Sequence, residues 1–222
     1  MKTYPISEIF VSVQGEGYFQ GTPHVFVRFA GCSVGKPIPA AIKGDRPAYV
    51  EQCRIWSGAV FDCDTDFRVK ERLTSQEILE RIPNNGIRVC FTGGEPLIHD
   101  LTELAQRILG RAHPISIETS GTIELPAWAE GVAWVTVAPK WEVLPRMLAS
   151  ADEIKLLVGP DFDEVKAMEF LAGAPRQSLI WIQPVNREHE VDRVNLDRCL
   201  ALLLSHPQWR LSVQLHKLLH VR

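Results

Sequence analysis

The chain has 222 residues, with 24 Lys and Arg against 27 Asp and Glu for a net charge near −3; this length suits one substantial core, and the absence of a basic block argues against nucleic acid as a bulk electrostatic partner. No apolar run approaches the ~18 residues of a membrane span, and the opening Met1-Lys2-Thr3-Tyr4-Pro5 does not lead into a secretory apolar segment. An odd set of five cysteines, in a chain expected to be cytoplasmic, favours metal ligands or buried thiols over disulfides.

In chain order, β-rich runs cover 6–13 and 25–30. An aperiodic stretch at 33–62 follows, holding Gly35, Pro37, Pro39, Gly44, Pro47 and Gly58; it reads as a long loop insertion that carries Cys53. Ser75 is placed to cap a helix reaching Arg81, with Glu77 and Ile78 in its first turn. A strand at 87–92 precedes a helix with Leu101, Leu104, Ala105, Ile108 and Leu109 on one face. Strands at 115–119, 132–137 and 153–158 lead to a helix marked by Phe162, Val165, Met168, Glu169 and Leu171. The strand at 179–183, a helix on Leu196, Cys199, Leu200 and Leu203, and a strand at 211–214 complete the series.

This alternation predicts an α/β fold of parallel βαβ units in a single domain over 1–222. Several crossovers are too short for a full helix, which predicts an incomplete, TIM-like βα barrel. In such barrels the site collects at the carboxyl ends of the strands.

Cys32, Cys53 and Cys63 carry the sharpest chemical signal. Three thiolates can hold three irons of a cubic [4Fe-4S] cluster and leave the fourth iron open, whereas a closed structural metal site normally takes four protein ligands. For any single cysteine, a buried structural thiol is the commoner reading. Cys90, in Val89-Cys90-Phe91, and Cys199, on an apolar helix face, are expected in the core. Most histidines (His24, His99, His113, His189, His206 and His220) read as surface or loop residues without paired ligand spacing.

The runs Phe10-Val11-Ser12-Val13-Gln14-Gly15-Glu16-Gly17, Phe26-Val27-Arg28-Phe29-Ala30-Gly31-Cys32, Cys63-Asp64-Thr65 and Thr92-Gly93-Gly94-Glu95-Pro96 come in that order. Glu118-Thr119-Ser120-Gly121, Pro139-Lys140, Asp152-Glu153-Ile154-Lys155, Gln183-Pro184 and Val213-Gln214-Leu215-His216-Lys217 continue the series. Together they resemble the radical S-adenosylmethionine family of 7-carboxy-7-deazaguanine synthases over nearly the whole chain. The resemblance implies ring contraction of 6-carboxy-5,6,7,8-tetrahydropterin to 7-carboxy-7-deazaguanine with loss of ammonia, in queuosine and 7-deazapurine biosynthesis. It implies a cluster on Cys32, Cys53 and Cys63, S-adenosylmethionine, and Mg2+ at Thr65. It places the cofactor against Asp62, Cys63, Asp64, Gly93, Gly94, Ala138, Pro139, Lys140, Gln183, Pro184, Val185 and Asn186. The pterin falls to Val13, Gln14, Gly15, Arg28, Thr92, Glu118 and Arg222; His216, in the closing run, reads equally as a residue shaping the pocket and as a structural imidazole. A homodimer and an electron donor such as flavodoxin are implied as well.

Two features depart from that pattern. Nine residues separate Cys53 from Cys63 where the family has two, and Ala138 stands where a serine is expected. Two other readings of the residues remain open at this level: an activating enzyme for glycyl-radical proteins, and a non-enzymatic zinc-stabilised binding module.

Overall fold

The computed structural model describes residues 2–34, 36–37, 51–58, 60–63, 65–140, 142–186 and 190–221, with main chain alone at 36, 37, 51, 52, 61 and 62. The chain opens with β1 (Thr3–Val13) and β2 (Pro23–Phe29), then β3 (Lys36–Pro37), β4 (Glu51–Arg54), β5 (Val60–Cys63) and β6 (Glu71–Thr74). Helix α1 (Ser75–Glu80), β7 (Arg88–Gly93), α2 (Thr102–Leu109), β8 (Ile115–Thr119), β9 (Trp134–Val137) and α3 (Pro145–Ala149) follow. The rest comprises β10 (Glu153–Val158), α4 (Glu164–Leu171), β11 (Leu179–Pro184), α5 (Arg193–Ser205), β12 (Arg210–Leu211) and α6 (Leu215–Leu218).

Nine strands form one sheet in the order β12-β11-β10-β9-β8-β7-β2-β1-β6. From β2 through β12 all neighbours run parallel, and only β1 runs against its neighbours β2 and β6. The expected α/β class with a mostly parallel sheet is therefore present. The stretch read as an aperiodic loop is instead built in part from a second, antiparallel sheet in the order β3-β4-β5. Its strands have two to four residues, too few for an alternating pattern to stand out in the sequence.

Side chains alternate across a strand, and here the two faces differ in kind. Val25, Val27, Phe29, Val89, Phe91, Ile115, Ile117, Val135, Val137, Ile154 and Leu156 share one face and are buried in a single cluster. The helices cover that face with Ile78 and Leu79 of α1, Leu104 and Ile108 of α2, Met147 of α3, Ala167 of α4 and Cys199 of α5. At about 1.5–3 kcal/mol for each fully buried large apolar side chain, this face is the main source of stability. No described helix is long and apolar enough to cross a membrane.

Helix starts follow side-chain chemistry. Thr74, not Ser75, caps α1, because Thr74 accepts from Glu77 N while Glu77 accepts from Thr74 N; this reciprocal pair satisfies two otherwise unpaired donors. Asp163 and Asp192 cap α4 and α5. Val165 and Met168 of α4 and Leu200 of α5 were expected on buried faces but are exposed, since in these helices Ala167 and Cys199 make the contact with the sheet. His24 and His113, expected at the surface, are 1% exposed; His113 Nδ1 lies 2.7 Å from Ile87 O.

Replacing Phe91 by Ala is expected to cost about 3–5 kcal/mol through the cavity it leaves. The equivalent change at Leu204, 88% exposed, should stay within about 0.5 kcal/mol, and urea unfolding of the two variants measures both.

Candidate active site

The sheet face opposite the core is polar. Strand register sets Phe26, Cys90, Ser116 and Trp134 side by side in one row. One step further along, Arg28 pairs with Thr92, Glu118 with Thr136, and Thr136 with Glu153. Six charged or polar groups in place of Val and Ile mean that this face was not selected for packing.

The turn between β1 and β2 folds over these rows. Gln14 Nε2 donates to Glu118 Oε1 at 3.0 Å, and Thr92 Oγ1 donates to Glu118 Oε2 at 2.9 Å. Beyond them, Glu16 forms an ion pair with Lys155 and accepts from Gln183 Nε2 at 3.3 Å. Tyr18 N and Thr136 Oγ1 donate to the two oxygens of Glu153 at 2.9 and 2.6 Å. In the sheet order, five strand spacings separate β1 from β10, about 24 Å if the sheet were flat. Glu16 lies three residues past the end of β1, about 10 Å of chain at most. The sheet therefore curls around the turn.

Gly15 makes this fold possible. A Cβ there would sit 2.0 Å from His216 Nδ1, and Leu215 N donates to Gly15 O at 3.0 Å. Helix α6 thus packs directly against the turn at Gly15. Below the polar rows an aromatic floor closes the amino end of the strands. Tyr18 stacks on Trp134 with ring centres 4.8 Å apart, and the Arg88 guanidinium lies 4.1 Å over the Phe19 ring. A cavity of about 580 Å³ lined by Arg88, Glu130, Trp134 and Asp152 opens at that amino end.

Electrostatics fix the charge state of the interior. Burial alone would raise the Glu16 pKa, but the Lys155 charge and hydrogen bond outweigh it and hold the carboxyl below its ordinary 4.5. Burial likewise works against the Lys155 ammonium, and Glu16 and Glu118 overcome it, raising Lys155 above its ordinary 10.5. Both members of the pair are charged, at 14% and 8% side-chain exposure. Burial pushes the thiols of Cys90 and Cys199 up, that of Cys199 to about 12. Both are buried as expected; Cys199 joins the main apolar cluster, whereas Cys90 lies on the opposite sheet face between Phe26 and Ser116.

The glycine pair of the Thr92-Gly93-Gly94-Glu95-Pro96 run has a structural reason beyond cofactor contact. A Cβ on Gly93 would meet Phe29 O at 2.2 Å, and one on Gly94 would meet Gly31 O at 1.9 Å and Cys32 Cβ at 3.0 Å. The turn after β7 is therefore packed directly on the backbone leading to Cys32. Glu95, 0% exposed, ties the same turn to β8 by accepting from Thr119 Oγ1 at 2.9 Å and Ser120 N at 2.8 Å. Ala138 N and Lys140 N donate to Thr119 O and Ser120 O, which puts the Ala138-Pro139-Lys140 run beside that point.

Cys32 lies three residues past β2, at the carboxyl end of the parallel strands. Cys53 and Cys63 lie on the paired strands β4 and β5; Cys53 faces Phe61, two residues before Cys63. Period-two alternation puts both sulfurs on one face as diagonal neighbours. No disulfide joins any of the five cysteines. Among the described residues, no three of His, Cys, Asp and Glu are gathered as ligands to one metal ion. The donor set fits an iron–sulfur cube in kind, since each thiolate binds its own iron and the ligands stand wider apart than around one ion.

Other expected site residues sit as follows. Val13 ends β1 opposite Pro23, and Asn186 Oδ1 accepts from Asp192 N at 3.2 Å; neither bonds to the polar rows among the described residues. Pro184 ends β11, and Val185 N donates to Val158 O at 2.9 Å. Thr65 is half-buried just past β5. Asp64 and Arg222 lie outside the described residues, as does the side chain of Asp62. Sequence reasoning gave no role to Glu16, Lys155, Glu153 or Glu95, although each lies inside a quoted motif. A buried charge within such a run is the signal that would have found them.

A mostly parallel sheet with a polar face folded under the β1–β2 turn, and a cysteine, Cys32, past the carboxyl end of its strands, has the form of an α/β enzyme site for a small polar ligand. No family model matches the chain. It is 34% identical over 232 residues to 7-carboxy-7-deazaguanine synthase of Escherichia coli (strain K12), covering 98% of this chain and 99% of that one. Identity to the synthase of Caulobacter vibrioides is 33%, covering 98% of each chain. A crystal structure of QueE from Escherichia coli superposes with a TM-score of 0.68 at 30% identity, over 96% of this chain and 95% of that one. The chain belongs to the 7-carboxy-7-deazaguanine synthase family.

Lys155→Met leaves Glu16 as a buried, unpaired charge and should destabilise the fold by about 3–5 kcal/mol; adding Glu16→Gln should recover most of the loss. The depressed Glu16 pKa contributes stability that is present above 4.5 and lost as pH falls through the folded value. The raised Lys155 pKa contributes stability that is complete below 10.5 and lost as pH rises through its folded value. Urea midpoints against pH should therefore be flatter at both extremes in the double variant than in the wild type.

Proposed function

We propose that this chain is a radical S-adenosylmethionine enzyme that converts 6-carboxy-5,6,7,8-tetrahydropterin to 7-carboxy-7-deazaguanine with loss of ammonia, in queuosine and related 7-deazapurine biosynthesis. One observation carries the reading. Among the described residues, Arg28 Nε is buried without an acceptor, beside Thr92 and in the row that holds Glu118. Glu8 pairs with this guanidinium only at long range, so it can still receive a ligand anion, and its planar fork suits a carboxylate.

The pterin carboxylate takes Arg28, whose Nε is 3.8 Å from Glu8 Oε2 and whose guanidinium lies 5.4 Å from the Phe10 ring. Glu118 receives the guanidine-like edge of the pterin. Gln14 and Thr92 occupy one acceptor site on each of its oxygens and orient it, leaving further lone pairs for ligand N–H groups. Val13, Gly15 and Arg222 complete the pocket.

Cys32, Cys53 and Cys63 hold a [4Fe-4S] cluster. S-adenosylmethionine lies against Gly93, Gly94, Ala138, Pro139, Lys140 and Gln183 to Asn186, with Asp62 and Asp64 beside it, and Thr65 takes Mg2+. When bound, cluster and S-adenosylmethionine supply the 5′-deoxyadenosyl radical, and hard chemistry of this kind belongs to the cofactor. The chain supplies placement: Gly94 on the Cys32 backbone keeps the cofactor turn and the first thiol in fixed relation, and the curled sheet keeps water from the pterin. This architecture is a partial TIM-like barrel, a single domain over 1–222 interrupted by the 33–62 insertion. The protein works as a cytoplasmic homodimer, reduced by a donor such as flavodoxin.

Anaerobically reconstituted protein is expected to be brown, with about four irons per chain, and to form 7-carboxy-7-deazaguanine from the pterin, S-adenosylmethionine and a reductant. A colourless protein holding only zinc, or a loaded enzyme giving no deazaguanine, would refute this. Arg28→Ala should lower kcat/KM for the pterin by roughly 10- to 100-fold, the value of a charged hydrogen-bonded contact. Arg28→Lys should recover little of that, because an ammonium cannot form the fork.

A further inference from the structure

We propose that Trp56 is the positioning residue that seats the Cys53–Cys63 hairpin on the body of the protein. The proposal rests on the cluster reading above, since it concerns where two of the three thiols are held. It explains how nine intervening residues do the work of two.

The β4–β5 hairpin brings Cys53 and Cys63 to one face by strand pairing. A three-stranded sheet with strands of two to four residues cannot set its own orientation, because small isolated sheets are marginally stable. Its attachment lies just beyond Cys53. Ile55 is buried and bridges Lys140 in antiparallel fashion, next to the run that ties to β8. Trp56 then inserts between two aromatic rings. It stacks on Phe170 of α4 with ring centres 5.8 Å apart at 22°, and meets Phe162 edge-on at 5.8 Å and 85°. Trp56 packs against the main core, and its Nε1 is buried without an acceptor among the described residues. The indole is therefore held by shape and area alone, and such aromatic pairs prefer these stacked and edge-on geometries.

Cys32 is held by other means: Gly94 packs against the Gly31 carbonyl and donates its N to Phe29 O at 3.2 Å, and Glu95 N donates to Gly31 O at 3.0 Å. The relative placement of the thiols thus depends on the hairpin's seat. Cys53 is three residues from Trp56, about 10 Å at strand rise. A small pivot at the indole moves the sulfur by more than a metal–thiolate bond tolerates.

The test compares wild type, Trp56→Ala and Trp56→Phe after anaerobic reconstitution. Wild type should hold about four irons per chain, Trp56→Ala should fall at least roughly two-fold with a broadened cluster spectrum, and Trp56→Phe should restore most of the iron. Amide exchange of the cluster-free proteins gives a second readout. Trp56→Ala should speed exchange at residues 53–58 and leave β7 and β8 unchanged. Full iron in Trp56→Ala, or unchanged exchange at 53–58, would overturn the proposal. Should wild type itself hold no cluster, the functional reading fails while the exchange comparison still decides the seat. If Trp56→Ala does not fold, Phe170→Leu removes one side of the cradle, and unchanged iron and exchange in that variant would likewise overturn it.

Discussion

A sheet with one polar face must either wet that face or cover it, and in this protein the β1–β2 turn covers it. The Glu16–Lys155 ion pair clamps the turn across the curl of the sheet, and Gln14 reaches Glu118 from the same segment. Taking two charges out of water is costly, and a buried pair seldom stabilises more than a well-packed apolar pair would. Its value here is one of register: only one placement of the turn lets Glu16 meet Lys155 while Tyr18 N meets Glu153. Gly15 and His216 then lock the outside of that turn. The rows around Arg28, Thr92 and Glu118 are therefore held in place by the protein's own contacts, and preorganisation of this kind lowers the cost of binding for any ligand they take.

The apolar half of this design was legible in the sequence and the polar half only partly. Runs such as Val25 to Phe29 and Ile154 to Val158 announce buried parallel strands, because a strand covered on both sides loses its alternation. The same property hides which sheet face a residue takes: Cys90 and Phe91 look alike in sequence, yet Phe91 joins the main apolar cluster and Cys90 lies on the opposite face beside Ser116. Gln14, Thr92 and Glu118 were found through motif order, and direct hydrogen bonds join them. Glu16 and Lys155 were passed over because nothing local distinguishes a surface carboxylate from one whose partner stands 139 positions away. Trp56 escaped for a similar reason, since Phe162 and Phe170 are remote in sequence and its own segment shows no period.

The glycine pair shows how one sequence run can answer two demands. For Gly93 and Gly94 the restriction that the fold itself imposes comes from the end of β2. There the carbonyl oxygens of Phe29 and Gly31 already occupy the space a Cβ would need. The end of β7 and the end of β2 are parallel neighbours, so the cysteine that follows β2 and the turn that follows β7 emerge together. Strand pairing, rather than any local loop preference, brings Cys32 beside the Thr92-Gly93-Gly94-Glu95-Pro96 run.

The stretched spacing of the other two cysteines follows from the same logic. A short loop between two ligands converges its sulfurs cheaply, because few residues must be ordered and loop-closure entropy grows with length. Nine residues left as coil would surrender that advantage. Folding them into a hairpin recovers it, because the ladder between Cys53 and Phe61 orders the intervening chain independently of any ligand. The hairpin gains a defined geometry but not a defined address, since it belongs to a separate sheet from the one whose strand leads to Cys32. An anchor on the main body then becomes a requirement. Its natural place is the first position past the strand that a bulky side chain can use, where Ile55 and Trp56 stand.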